Sequence, residues 1–313
     1  MQFAHIKKLR IGTRRSNLAL VQSNWVKLKL KEKYPDLEVE LIEIVTQGDR
    51  IQDKPLYEVG GKGLFLKEIE EALLDRRVDI AVHSMKDVPA DNIKDLVFYA
   101  IPERMSPFDA LISKNGEKLD NLVQKAKIGT GSLRRTSQLK AFRQDFNIVP
   151  VRGNVDTRLQ KLKANEFDAI ILAEAGIARL GAGDCITQVL SAEILIPAVG
   201  QGALGIQGIK DNLELKDLLA FMNDNTTATA VTAERALLKE LDGGCKIPVA
   251  GYAFIRGGVL HLEGMVGNRD GSEIIRERLQ GSPADADSIG KELAKRLFKR
   301  GAAAILAQFT GIK

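Results

Sequence analysis

Blocks of apolar and polar residues along the chain predict strands that feed into helices. Residues 9–13 have the composition of a short strand ending in a glycine turn, and residues 37–45 alternate apolar and acidic side chains as a half-buried strand does. Between these strands, apolar residues recur at spacings of three and four, which predicts a helix capped by Ser16. The stripe expected to face the core comprises Leu18, Val21, Trp25 and Leu28.

The same pattern begins again further along the chain. Ile-Gly-Thr at 128–130 repeats Ile-Gly-Thr at 11–13, again with a serine and an arginine pair before a helix. A strand at 148–151, a helix at 155–163 and a strand at 167–173 follow. This order favours parallel sheets with right-handed crossovers. Two α/β halves with matching openings predict two similar lobes that face a cleft.

Two proline-containing segments predict where the chain crosses between the lobes, at 102–107 and at 196–200. With two crossings, one lobe both begins and completes the other. After about residue 226 the pattern changes to a helix, two strands and a final helix, which predicts a smaller α+β domain. The expected domains are lobe 1 at 1–102 plus 201–222, lobe 2 at 103–200, and a C-terminal domain at 223–313.

Composition sets the class of protein. Hydrophobic residues are 44% and charged residues 28% of 313, which is the balance of a globular protein and excludes a fibrous or disordered chain. No apolar run approaches the ~18 residues that cross a bilayer, and the first ten residues lack a signal-peptide core. Two cysteines, Cys185 and Cys245, are too few for a disulfide framework. We therefore expect a cytoplasmic protein without a membrane partner.

The net charge of +5 favours an anionic partner without naming it. Aromatic residues are only 5%, and no basic block of five residues occurs, so nucleic acid is a poor candidate. A solvated lysine surface would explain the charge equally well. The positions of the arginines decide which of these explanations of the positive charge applies.

Several familiar motifs lack their structural context. The Gly-x-Gly-x-x-Gly at 200–205 follows a proline and does not open a helix, so a lobe crossing explains it better than a dinucleotide site. The Gly-Gly-Lys-Gly at 60–63 lacks the remainder of a P-loop. The three histidines are dispersed, and we expect neither a metal site nor a Ser-His-Asp hydrolase.

Arginines stand instead near strand-to-helix turns, where backbone N–H groups and the helix dipole already favour anions. Guanidinium groups add bidentate binding of carboxylate or phosphate. Any one of them alone could be an ordinary surface ion pair, but their repetition in both halves favours a polyanionic ligand between the lobes. These residues are Arg14, Arg15, Arg134, Arg135, Arg152 and Arg158.

Two further residues could carry chemistry. Asp87 follows a buried strand, so it is expected at the carboxyl edge of a sheet, where ligands of open α/β folds collect. A turn or a helix cap would also account for it. Cys245 lies in a glycine-flanked loop beside Lys246, which favours the nucleophilic thiolate, although a free cysteine is more often simply buried.

The sequence resembles the porphobilinogen deaminase (hydroxymethylbilane synthase) family over nearly its whole length. Any one of the shared motifs is weak, but six in family order are specific. They are Thr-Arg-Arg-Ser at 13–16, Val-Gly-Gly-Lys-Gly-Leu-Phe at 59–65, Asp-Ile-Ala-Val-His-Ser-Met-Lys-Asp at 79–87, Gly-Thr-Gly-Ser-Leu-Arg-Arg at 129–135, Arg-Gly-Asn-Val at 152–155 and Gly-Gly-Cys at 243–245.

The resemblance implies two lobes like those of periplasmic binding proteins, with mostly parallel sheets, and a third domain that carries the cysteine. It implies a transferase that joins four porphobilinogen molecules head to tail, releases ammonia and yields hydroxymethylbilane. The chain would grow on a dipyrromethane cofactor held by a thioether to Cys245, with Asp87 as the catalytic carboxylate. The matching positions for the cofactor are Lys86, Asp87, Ser132, Arg134, Arg135 and Cys245, and those for substrate are Arg14, Ser16, Lys62, Arg152, Arg158 and Arg179.

No long apolar edge or heptad compels an oligomer, so we expect a monomer. The resemblance also implies that the product passes to uroporphyrinogen-III synthase. Two alternatives use the same features differently. A non-catalytic two-lobed protein for a polycarboxylate needs the arginines but no reactive thiol. A nucleic-acid binder would show steep salt dependence without turnover.

Overall fold

The structure, a computed structural model, describes residues 6–50, 66–91, 93–241 and 247–310. Three sheets organise these residues, two of five strands and one of three. Within the described ranges, no helix is both long and apolar enough to span a lipid bilayer.

The first sheet forms lobe 1 and has the order β2-β1-β3-β10-β4. Strands β1, β2 and β3 pair in parallel, and β10 is antiparallel to both β3 and β4. Four of the five strands therefore run in one direction. The elements are β1 Lys8–Arg14, α1 Asn17–Lys33, β2 Glu38–Ile44, α2 Gln47–Arg50, α3 Lys67–Leu74, β3 Ile80–Ser84, β4 Leu96–Ala100, β10 Leu204–Ile209 and α7 Leu213–Leu219.

The second sheet forms lobe 2 and has the order β7-β6-β8-β5-β9. Strands β6, β7 and β8 are parallel, and β5 is antiparallel to both β8 and β9. Strand β6 thus holds the place in lobe 2 that β1 holds in lobe 1, so the predicted match between the two openings is confirmed. The elements are β5 Asp109–Ser113, β6 Lys127–Gly129, α4 Leu133–Phe142, β7 Asn147–Val149, α5 Val155–Lys163, β8 Ala169–Ala173, α6 Glu174–Arg179 and β9 Gln188–Leu190.

The single reversed strand of each sheet has a simple cause. The first crossing, residues 101–108, leads into β5, and the second crossing, residues 191–203, leads into β10. Each crossing enters its sheet at the carboxyl ends of the parallel strands, so the strand that follows must run in the opposite direction. The two crossings connect the lobes and contact each other, because Arg104 Nε donates to the Gln201 carbonyl at 2.8 Å.

The C-terminal residues form the third sheet, an antiparallel β11-β12-β13 meander backed by helices. Leu237, Leu293 and Leu297 are fully buried between the helices and this sheet. The predicted fold class, two α/β lobes with mostly parallel strands and a small α+β domain, is confirmed. The elements are α8 Asn225–Glu240, β11 Val249–Arg256, β12 Val259–Gly267, β13 Ile274–Gly281, α9 Ala286–Lys299 and α10 Ala302–Thr310.

The predicted inward stripe of α1 is wrong. Val21 is 36%, Trp25 39% and Leu28 61% exposed, whereas Val26 and Leu30 are fully buried. Both stripes have helical spacing, so spacing alone cannot distinguish them. The buried face also includes a polar side chain, Gln22, which donates a hydrogen bond to Ser84 at 2.9 Å. A pattern of apolar residues alone cannot identify such a buried polar position.

Candidate active site

Asp87 stands on a short turn at the carboxyl end of β3, where the sequence predicted it. Met85, Lys86 and Asp87 form one turn of 3-10 helix directly after the strand. Met85 is buried, Lys86 is half-buried and Asp87 is exposed. Because Met85 and Val88 on either side are both buried in one apolar cluster, the turn presents the carboxylate of Asp87 to the space between the lobes.

Arg134 and Arg135 occupy the first turn of α4, whose N-cap is Ser132. Both arginines are buried beside the fully buried carboxylate of Asp109, the first residue of β5. Arg134 Nη1 lies 2.8 Å from Asp109 Oδ2 and donates to the Ile196 carbonyl at 2.6 Å. Arg135 donates to Asp109 Oδ1 from Nε at 3.0 Å and from Nη2 at 2.6 Å. One carboxylate therefore orients two guanidinium groups.

The electrostatics of Asp109 follow from this arrangement. Burial alone would raise its pKa, but the charges of Arg134 and Arg135 and the hydrogen bonds from them outweigh burial and hold the pKa well below its usual range. Asp109 thus stays ionised at any physiological pH. It still neutralises only one of the two arginines.

Further cations lie within electrostatic reach of this pair. Burial lowers the pKa of Lys86 to about 8, opposed by Asp87 and Asp109 and reinforced by the two arginines. Burial also lowers the pKa of Arg158 to about 10, with repulsion from Arg135 and Arg152 and attraction to Asp87. The structure therefore brings together a cation cluster from both lobes. Its members are Lys86, Arg134, Arg135, Arg152 and Arg158, around the carboxylates of Asp87 and Asp109.

The first turns of α1 and α5 meet where the lobes approach each other. Asn17 donates a hydrogen bond to Asp156 at 2.9 Å across the two lobes. Ser16 caps α1 by accepting from the backbone of Ala19, and its hydroxyl proton remains available for an anion. Arg14 ends β1 and is half-buried; its charge contributes to lowering the pKa of His83, so it lies beside β3.

Arg179 has a different environment from the cluster. It ends α6 and donates from Nη2 to the carbonyl of Gly202 at 2.8 Å, in the segment that leads into β10. Burial lowers its pKa to about 10. The structure therefore directs Arg179 towards the second crossing. Lys62 and Cys245, the remaining predicted site residues, lie outside the described residues.

Asp109 is the residue that sequence reasoning missed. An acidic side chain at the start of the apolar run 110–112 is a weak signal, because caps and surface acids have the same appearance in a sequence. Its partners lie 25 and 26 positions further along the chain. Gln201 was also missed because its partner is distant in the sequence: from the second crossing it donates a hydrogen bond to Asp109 at 3.0 Å.

Fold and site together define a two-lobed α/β protein whose lobes present a surplus of cations beside an exposed carboxylate. A model of the porphobilinogen deaminase dipyromethane cofactor-binding domain matches residues 9–217, and a model of the porphobilinogen deaminase C-terminal domain matches residues 228–299. The chain belongs to the porphobilinogen deaminase family. It is a transferase of tetrapyrrole biosynthesis, with a dipyrromethane cofactor.

Relatives of the same name extend over nearly the full length. The porphobilinogen deaminase of Natranaerobius thermophilus is 50% identical over 306 residues, covering 96% of this chain and 98% of the relative. That of Listeria innocua is 50% identical over 310 residues, covering 98% and 99%. Among solved structures, the periplasmic aliphatic sulphonate binding protein SsuA of Escherichia coli aligns with a TM-score of 0.39 at 17% identity, over 75% of this chain and 71% of that one.

Proposed function

We propose that this chain joins four porphobilinogen molecules head to tail, releases one ammonia at each coupling and yields hydroxymethylbilane, with Asp87 as its catalytic residue. The observation that carries the proposal is the exposed Asp87 carboxylate, which follows the buried Met85 on its turn and lies within electrostatic reach of Arg158 from the opposite lobe. A carboxylate so placed suits a reaction that develops positive charge on a pyrrole ring bearing two carboxylates.

The cation cluster fits the cofactor and the growing chain. Pyrrole acetate and propionate groups are the anions that guanidinium forks bind best. The lowered pKa values of Lys86 and Arg158 reflect cations that burial has deprived of solvation and that lack enough counter-charge. Bound carboxylates would supply that charge. We assign the cofactor to Lys86, Ser132, Arg134 and Arg135, and incoming substrate to Arg14, Ser16, Lys62, Arg152, Arg158 and Arg179.

Asp87 acts on the incoming pyrrole. Loss of ammonia leaves positive charge spread over the ring and its nitrogen, and a carboxylate stabilises that charge more than it stabilises the neutral substrate. In its protonated form the same group is able to give a proton to the departing amine, and the carboxylate so formed takes up the proton that the ring carbon loses after coupling. When bound, the dipyrromethane supplies the nucleophilic ring carbon at which chain growth begins.

Cys245 is proposed to hold the cofactor through a thioether. It follows α8 along the sequence and precedes β11. A thioether resists both hydrolysis and reduction, so the chain stays attached through successive couplings. In this division of roles, Asp87 carries the chemistry and Cys245 anchors the chain.

We propose the domain boundaries 1–102 plus 201–222, 103–200 and 223–313, on the ground that each range supplies one sheet. A monomeric state, a cytoplasmic location and delivery of product to uroporphyrinogen-III synthase are part of the same proposal. They rest on the sequence and on the family resemblance.

The test is single-turnover elongation from primer-loaded enzyme. Asp87→Asn keeps the shape of the side chain and loses its charge, so substrate should bind while the coupling rate falls by at least ~10²-fold. Asp87→Glu keeps the charge but moves it by one methylene, and partial activity is expected. Asp36→Asn, at an exposed carboxyl in the turn after α1, is the matched control. Near-normal coupling by primer-loaded Asp87→Asn would refute the role of Asp87.

A further inference from the structure

The glycine motif at 200–205 lies directly behind the turn that carries Asp87. The backbone N–H of Met85 donates to the Ala203 carbonyl at 3.0 Å. Met85 is 1% exposed and shares an apolar cluster with Val88, Ala203 and Val231. The second crossing therefore contacts the turn through both its backbone and its side chains.

Two glycines make this contact possible. A Cβ atom on Gly200 would lie 2.8 Å from both the carbonyl carbon and the Cβ of Met85, and 3.1 Å from the Lys86 nitrogen. A Cβ atom on Gly205 would overlap the Met85 sulfur. Because real Cβ atoms do not approach so closely, any side chain at Gly200 must push the backbone of the turn away.

The same crossing also contacts the arginine side of the site. Gln201 donates from Nε2 to Asp109 at 3.0 Å and to the Pro107 carbonyl at 2.7 Å. Asp109 in turn holds Arg134 and Arg135. Residues 200–205 thus contact both the turn that carries Asp87 in one lobe and the carboxylate that holds the arginine pair in the other.

We propose that the second crossing fixes Asp87 in its catalytic position, with Gly200 and Met85 as positioning residues. The Met85 side chain fills the space that Gly200 and Gly205 leave open, so the turn cannot shift without opening that packing. Since the crossing also binds Asp109, the separation between Asp87 and the arginine pair is set at this point. This inference rests on the proposed role of Asp87.

The first test compares two glycine substitutions. Gly200 has φ +70° and Gly181 has φ +69°, so alanine strains both backbones equally, but a Cβ on Gly181 meets nothing within 4 Å. Gly200→Ala should slow single-turnover coupling from primer-loaded enzyme by at least ~10-fold, because misplacement by about 1 Å costs on the order of 10²-fold. Gly181→Ala should couple at the wild-type rate.

Hydrogen exchange supplies a readout that does not depend on activity. In Gly200→Ala, the Met85 amide should lose its protection in the protein without cofactor, since its bond to Ala203 is displaced. In Gly181→Ala, that protection should be unchanged. Wild-type protection of Met85 in Gly200→Ala would overturn the proposed packing.

A second pair of variants covers the case in which Gly200→Ala fails to fold. Met85→Ala empties the space beside the glycines, and Met222→Ala removes another buried methionine, from a different part of the lobe 1 core. Both should lower Tm, but only Met85→Ala should slow coupling by at least ~10-fold. Equal rates for the two methionine variants would contradict the proposal.

The outcomes also separate this inference from the proposed function. If Asp87→Asn couples normally, the catalytic role of Asp87 fails. If Asp87→Asn is slow while Gly200→Ala, with an unprotected Met85 amide, couples normally, the role of Asp87 stands and the positioning role of the crossing is wrong.

Discussion

At the residue scale, Asp109 distinguishes this site from a row of surface arginines. It is fully buried, forms an ion pair with Arg134 and accepts hydrogen bonds from Arg135 and Gln201. Three of the five N–H groups of Arg135 are bound, to Asp109 and to the Ile171 carbonyl. The arginines are therefore preorganised for the pyrrole carboxylates that we propose they bind, which would reduce the entropy lost on binding.

Asp109→Asn should be strongly destabilising. It leaves two buried guanidinium groups without a counter-charge, and breaking a buried pair costs about 3–5 kcal/mol. Asp287→Asn is the control, because Asp287 pairs with Lys291 at 2.6 Å in an exposed position and about 1 kcal/mol or less is expected there. Urea denaturation measures both. Equal small losses would mean that Asp109 does not organise the arginines.

Arg134→Leu and Arg135→Leu should affect cofactor loading more than folding. Each substitution leaves the other arginine on Asp109, so a one-to-one pair remains and folding should survive. Cofactor loading should fall, because bonds from a charged donor to a carboxylate are each worth roughly 1.5–3 kcal/mol. Pyrrole content and Tm, measured on the same samples, test this. Early melting with normal loading would make both residues purely structural.

His83 should make stability depend on pH. It is buried and bonded to Gln207 at 3.0 Å, and burial lowers its pKa to about 4 from an ordinary 6.5. Between these values the unfolded chain binds the extra proton, so stability present above pH 6.5 is lost as pH falls towards 4, by up to roughly 3 kcal/mol. Arg14 adds to the shift, whereas nearby Glu70 has a raised pKa and opposes the loss.

The comparison that isolates this contribution is His83→Asn, which retains a hydrogen-bonding group without titrating. Unfolding midpoints in urea should be measured from pH 7 to pH 4.5 for both proteins. The variant should lose less stability on acidification than the wild type. If the unfolding midpoints of the two proteins fell in parallel as the pH was lowered, a group other than His83 would be responsible for the loss of stability in acid.

At the element scale, α1 shows what a pattern of apolar residues leaves undetermined. Its two candidate stripes are offset by one or two residues along the chain, and packing against β1, β2 and β3 selects the one with Val26 and Leu30. Leu30→Ala should cost about 2–5 kcal/mol, and Leu28→Ala, at a 61% exposed position, less than about 0.5 kcal/mol. Urea denaturation of the pair checks this. A larger loss for Leu28→Ala would restore the original prediction.

Local signals identified the elements but not their partners. The strand-to-helix turns with Ser16 and Ser132 as caps were predictable, because capping chemistry lies within four residues of sequence. The carboxylate beneath the arginine pair was not, because Asp109 and Gln201 approach it only after both crossings are made. Strand β13 and helix α10 also went unpredicted; their pairing partners β12 and α9 decide their structure.

At the scale of the whole molecule, Glu234 connects both crossings to the third sheet at one buried point. It lies on α8 and accepts from Arg104 of the first crossing at 2.6 Å and from the N–H of Gly200 in the second crossing at 2.6 Å. It also accepts from Ala253 of β11 at 2.8 Å. The C-terminal domain, which carries Cys245 after α8, is thereby tied to both interlobe crossings.

Glu234→Gln should weaken this junction. An amide NH2 would face backbone donors, and the buried Arg104 would lose its counter-charge, at a cost of about 3–5 kcal/mol. Differential scanning calorimetry should show a lower Tm, with the C-terminal domain unfolding apart from the lobes. Glu277→Gln, which alters a pair whose arginine, Arg300, is exposed, is the control. A single transition at the wild-type Tm would mean that the domains are joined by other contacts.

The central claim is that Cys245 holds the growing chain while Asp87 elongates it. The direct measurement is intact-protein mass spectrometry after a short pulse of porphobilinogen, followed by peptide mapping. Wild-type protein should show a series of adducts, resistant to reduction and all on the Cys245 peptide, and primer-loaded Asp87→Asn should show the primer alone. An unmodified Cys245 in fully active enzyme would contradict the account.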